Sequence, residues 1–355
     1  MFLAINELLR EKLRFLLITF VILLVSYLAF FLTGLAYGLA TSYTQGIDKW
    51  NAAGIILQKD ANNNIARSLL TGADYDKILS ENTALLGVGS STIEQEETED
   101  VSLFGIDMSS FLAPDISEGS AVASANEIVV SDRLKEIGLR KGQEVQFKGS
   151  DETFKVAGFT SNATFQTAPI IYMQRDAWRA LVTEIAGMSG MRDNTTVSAV
   201  VTKDARDALY NSDKLSWQTI DDFSFKLPGY QAQVLTFSLM IGFLIAIASL
   251  VMAIFMYVLT LQKKSIFGVL KAEGITSGYI ARSVMLQIII LSVIGLVIGL
   301  TLTLLTSLVL GSKVPFLINP MFFAGISLLF LFFASIGGLA SVRSVSKIDP
   351  IEAIG

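Results

Sequence analysis

The chain contains no histidine and no cysteine in its 355 residues. That excludes the usual zinc sites and both Ser-His-Asp and Cys-His catalysis. No GxxxxGK[ST] loop occurs, so the chain cannot cradle a nucleoside triphosphate in that way. Its carboxylates are plentiful, yet no pair stands out by spacing as a general acid and base. Alone, it reads as no enzyme. The stretch Lys263–Ile275, which includes Lys264, Lys271 and Glu273, reads alone as an ordinary basic loop whose Phe267 and Leu270 could be presented to a partner protein while the lysines stay hydrated. The tail from Lys347 to Gly355 carries Pro350, well placed to start a helical turn.

The elements that must position such a loop are membrane spans. Four uncharged runs, 15–46, 227–262, 283–312 and 314–342, each exceed the roughly 20 apolar residues that cross a hydrocarbon core as a helix. Apolar residues make up 52% of the chain and the mean hydropathy is +0.56, too high for a soluble domain of this length. The layout is one span, an insert at 47–226, then three spans. Segment 41–229 holds 17 Lys/Arg against 27 Asp/Glu, whereas the remainder holds 10 against 5. Arg10, Lys12, Arg14, Lys263, Lys264, Lys271, Arg282, Arg343 and Lys347 flank span ends, which predicts cytoplasmic termini and an insert outside. No basic tract calls for nucleic acid. Lack of cysteine favours a bacterial cytoplasmic membrane. The first run is too long for a cleaved signal and reads as a retained anchor.

Segment 1–14 can lie in the membrane interface as an amphipathic helix, and 343–355 forms a cytoplasmic tail. The insert is predicted to be an α+β domain. Strands are expected at Gly54–Gln58, Glu127–Val130, Ile170–Met173 and Val197–Val201, with a hairpin over 144–148 and 153–159. Helices are expected at Asp132–Ile137, capped by Ser131, and at Asp204–Asn211; Glu94–Asp100 reads as a solvated loop. The run 227–262 is long enough to project a helical stalk beside the extension of the first span. Gly34/Gly38 and Gly295/Gly299 have the spacing of close helix packing, which permits a dimer.

Two segments carry a family resemblance. FGVLKAEGIT after the second span and KIDPIEAIG at the end resemble the signature segments of FtsX/MacB-type permeases, the membrane subunits of a class of ABC systems. Within that family the strings MFLAINELLREKLRF, FFLTGLAYGLA, GYQAQ, FMYVLTLQKKSIFGVLKAEGI and VPFLINP are similar to the haem-efflux permeases of Gram-positive bacteria. The resemblance implies a membrane α-helical fold of 1+3 topology, a homodimer, and two copies of a separate ABC ATPase holding ATP-Mg. It also implies a coupling helix within 263–282, haem as the substrate, and a ligand region at the outer-leaflet dimer interface, among membrane lipid. There the candidates are Tyr37, Tyr43, Asp48, Trp50, Tyr230, Gln231, Gln233 and Met240. With no His or Cys, Asp48 or Tyr43 is the candidate iron ligand. Rival readings are export of a peptide, antibiotic or lipoprotein, and a signalling complex that activates a cell-wall hydrolase.

Overall fold

The computed structural model describes residues 12–94, 98–187, 195–205, 210–310 and 314–346. The expected interfacial helix before residue 12 and the terminal Pro350 turn lie outside them. So do 206–209 of the helix expected at Asp204–Asn211, and 95–97 of the acidic loop. The chain forms two compact units, one helical (to Gly38 and from Val234 onward) and one built on a sheet (Leu39–Gln233).

Four helices are long and apolar enough to cross a membrane. They are α1 (Lys12–Asp48), α5 (Tyr230–Gln262), α7 (Ser277–Leu310) and α8 (Pro320–Ser346), with the short α6 (Lys264–Ala272) between α5 and α7. Uninterrupted apolar sequence leaves their backbones no partner in lipid except the helix itself. Within the helical unit, α7 gives α1 a close seat. A Cβ on Gly295 would strike Ile22 at 2.5 Å, and one on Gly299 would strike Ser26 Oγ at 2.2 Å. Gly34 and Gly38 seat Phe316 and the Pro315 backbone instead. All four glycines are therefore used inside one chain. The close-packing spacing is thus accounted for by contacts within the chain.

The sheet unit runs in strand order β11-β1-β10-β2-β3-β9-β5-β7-β4, mixing parallel and antiparallel pairs. The strands are β1 (Gly54–Gln58), β2 (Thr83–Glu94), β3 (Thr98–Ile106), β4 (Glu118–Gly119), β5 (Glu127–Ser131), β6 (Glu144–Gln146), β7 (Thr153–Thr160), β8 (Thr164–Phe165), β9 (Ala168–Gln174), β10 (Ala199–Thr202) and β11 (Leu215–Thr219). Helices α2 (Gly72–Tyr75), α3 (Arg175–Ile185) and α4 (Ile220–Phe225) accompany them. Alternation buries both faces, as period-2 geometry requires. Leu103, Ile171, Val130 and Trp178 share one core, and Phe104, Tyr172, Val129 and Trp50 the other.

The longest hairpin, β2 with β3, pairs Leu86 with Ile106 through to Glu94 with Thr98. Glu94 and residues 98–100 are thus strand, which corrects the loop expected across Glu94–Asp100. Ser131 does not cap the 3-10 turn Asp132–Lys135; its hydroxyl is buried within β5 without a hydrogen bond among the described residues.

Candidate functional site

The end of α1 and the start of α5 meet within the sheet unit. Tyr43 and Tyr230 contact with ring centroids 5.6 Å apart, tilted by 54°. A turn places Tyr230: Leu227-Pro228-Gly229-Tyr230 closes with the Tyr230 N–H donating to the Leu227 carbonyl at 3.1 Å. Pro228 presets one turn position and Gly229, at φ +82°, supplies the left-handed one. Leu227 is buried, anchoring the turn in the core. Gly229→Ala should cost about 1–2 kcal/mol, because an L-residue resists that backbone, and its Cβ would sit 3.4 Å from the Tyr43 hydroxyl. Thermal unfolding of the detergent-purified chain reads this directly; an unchanged midpoint would contradict the turn's role.

A hairpin holds the last turns of α1. The β8–β9 turn has Gln166 and Thr167 both at positive φ, and their N–H groups donate to the Tyr43 and Ser42 carbonyls at 3.0 and 3.2 Å. Thr164 Oγ1 donates to Gln45 Oε1 at 2.9 Å, and Lys49 Nζ donates to the Ser161 carbonyl. Asp48 ends the helix, exposed, accepting a 2.8 Å hydrogen bond from Thr44 Oγ1. Tyr43 and Tyr230 thus pair near the end of α1, whose last residue is Asp48; phenol and carboxylate oxygens are donors that suit a hard cation such as ferric iron.

The remaining candidates separate. Trp50 is buried in the sheet core, 6.0 Å from Phe104, so it does not wall an accessible slot as expected. Its place three residues after Ile47 carries it onto the same buried face. Gln231 is exposed; Gln233 is half-buried, with its amide nitrogen shielded and unbonded among the described residues. Met240, exposed, and Tyr37, packed on Phe322 at 5.4 Å, belong to the helical unit.

Helix α6 departs from expectation at Phe267 and at Leu270, the latter half-buried and packed against the helical core. Phe267 is 2% exposed and packs with Phe15, Ile280 and Val284, so it is not presented outward. Leu270 and Lys271 are half-buried, while Lys264 and Glu273 are exposed. The apolar side chains that do face out are Ile266, 53% exposed, and Val269, 44% exposed. The spacing i, i+3, i+7 over 266, 269 and 273 signals that face. The helix stops in a Schellman arrangement: Gly274 at φ +92° donates to the Lys271 carbonyl and Ile275 to that of Leu270, both at 3.0 Å.

Comparison with known proteins supplies the class. Residues 238–350, spanning α6, α7 and most of α5 and α8, match the family of the FtsX-like permease C-terminal domain. The chain is also 26% identical to a protein of Staphylococcus haemolyticus named as a hemin transport system permease, HrtB, over 99% of each chain. The HrtB-named protein of Staphylococcus epidermidis is 29% identical, again over 99% of each. The extracellular domain of the ABC-type transporter YknZ from Gram-positive bacteria gives a slight structural likeness, with 15% identity and a TM-score of 0.33. That match covers 47% of this chain and 99% of that one.

Proposed function

We propose that this chain is an FtsX-like permease, the membrane subunit of an ABC exporter that removes haem from the cytoplasmic membrane. The observation that carries the reading is the Tyr43–Tyr230 ring pair near the end of α1, a helix that closes on Asp48, in a chain without His or Cys. End-to-end similarity to hemin-transport permeases supports it. In this reading haem rests against the two phenols where α1 ends and α5 begins, with Tyr43 or Asp48 on the iron. Weak oxygen ligation suits a pump that must release its cargo. Two copies of the chain assemble with two ATPase subunits that bind ATP-Mg and dock on the outward face of α6, at Lys264, Ile266 and Val269. The basic flanks put α6 and both termini on the cytoplasmic side and the acidic sheet unit outside. ATP-driven closure displaces α6, and the helices carry the movement to the haem end.

The test is hemin titration of the detergent-purified chain, followed through the Soret band. Wild type is expected to retain haem, with a visible spectrum of oxygen ligation. Tyr43→Phe combined with Asp48→Asn should abolish that signature and weaken binding about tenfold, roughly the loss of one good interaction of 1.4 kcal/mol. Tyr230→Ala should weaken binding without changing the ligation spectrum. Unaltered spectra and affinity in both variants would sink the site.

A further inference from the structure

The two faces of α6 are built differently, and the inner one contacts α1. Lys263 sits at the corner between α5 and α6 and is only 5% exposed, whereas its neighbour Lys264 is exposed. Lys263 Nζ stands 5.4 Å from the centroid of the Phe15 ring, on the first turns of α1. At that distance a cation is attracted to the ring face, more strongly once water is removed. The Lys263 carbonyl also accepts the Phe267 N–H at 2.9 Å, which fixes one side chain relative to the other. Phe267 and Phe15 share a buried cluster with Ile280 and Val284 of α7. The Gly274 and Ile275 N–H groups close the last turn of α6, and α7 begins two residues later at Ser277. A close-packed interior transmits displacement, because side chains without voids cannot move independently.

We infer that Lys263 and Phe267, with Phe15, form the joint that passes a displacement of α6 into α1, while the outward residues Lys264, Ile266 and Val269 make the contact with the ATPase. Lys263 and Phe267 are thus positioning residues: they touch neither nucleotide nor cargo. This rests on the reading that an ATPase docks on α6. The division of labour predicts that docking and coupling can be lost separately.

The experiment uses the tagged full-length chain, purified from its native membrane with its ATPase. It measures the amount of ATPase retained and the stimulation of ATP hydrolysis by hemin. Phe267→Ala and Lys263→Met should retain the ATPase as wild type does. Their hemin stimulation should fall by about tenfold, inside the ordinary range of coupling free energies. Phe267→Leu and Lys263→Arg, which keep the apolar bulk and the cation, should restore most of it. A merely structural role would lower assembly and stimulation together. Wild-type stimulation in both Phe267→Ala and Lys263→Met overturns the joint. Loss of the ATPase in these variants, alongside its loss in Ile266→Asp/Val269→Asp, overturns it too. If the Ile266→Asp/Val269→Asp variant keeps its ATPase, docking on this face is wrong; the joint is then judged by stimulation alone.

Discussion

Gly105→Val is expected to unfold the sheet unit, with a loss of at least about 3 kcal/mol. The reason lies in Trp178, which α3 lays across β2 and β3. A Cβ on Gly105 would stand 2.4 Å from both Cβ and Cγ of Trp178, and one on Gly87 would stand 2.3 Å from its ring. Gly89 completes the bed, its Cβ position 2.8 Å from Val182 on the same helix. The obstacle at Gly105 is the root of the tryptophan side chain, so a rotamer change cannot remove it. Either α3 lifts away or Trp178 leaves the core, and truncating a buried tryptophan typically costs about 3–5 kcal/mol. Thermal unfolding of the purified full-length chain and proteolysis of the sheet unit would report the loss. Trp178→Ala in the same chain should lower stability by itself, yet partly relieve Gly105→Val, since residues in contact do not contribute additively. A Gly105→Val chain that melts like wild type would show that the sheet tolerates a lifted helix.

The same tryptophan explains why the β2–β3 hairpin was hard to read in the sequence. GVGSS and FGI look like loop sequence because glycine and serine are poor strand formers. They stand in strands because a bulky ring needs room on that face. The four long helices were legible for the opposite reason, since uncharged runs of that length have few other structures open to them. Strands β1, β5, β7 and β9 were legible from apolar runs bounded by turn residues. At the candidate site, proximity to the span ends pointed to Tyr43 and Tyr230, and these two rings do touch. It could not distinguish Trp50, whose burial depends on a sheet face laid down by distant strands. Phe267 was misread because charge marked the loop as exposed, whereas helical phase decides which of its apolar residues turns inward. The outward pair, Ile266 and Val269, was readable from that phase.

Gly299→Val is expected to separate α1 from α7. Lipid offers no hydrophobic force between helices, so close packing and hydrogen bonds must hold them together. Here the seam has both. Ser26 Oγ donates to the Gly295 carbonyl at 3.0 Å, Thr303 Oγ1 to that of Tyr27 at 3.4 Å, and the Tyr27 and Thr306 hydroxyls pair at 3.2 Å. A Cβ on Gly299 would also lie 2.9 Å from the Tyr27 backbone nitrogen, and backbone cannot swing aside. Splitting the seam forfeits these bonds, each about 0.6 kcal/mol in membrane proteins, so roughly 2 kcal/mol goes before any packing is counted. Gly242→Ala serves as the control: no atom lies within 4 Å of its added Cβ, and the helix should gain slightly. Melting of the purified chain in detergent should fall for Gly299→Val and hold or rise for Gly242→Ala. If Gly299→Val instead leaves the melting of each chain unchanged and only converts dimers to monomers on size exclusion, the glycine faces a second copy and the intrachain seam is wrong.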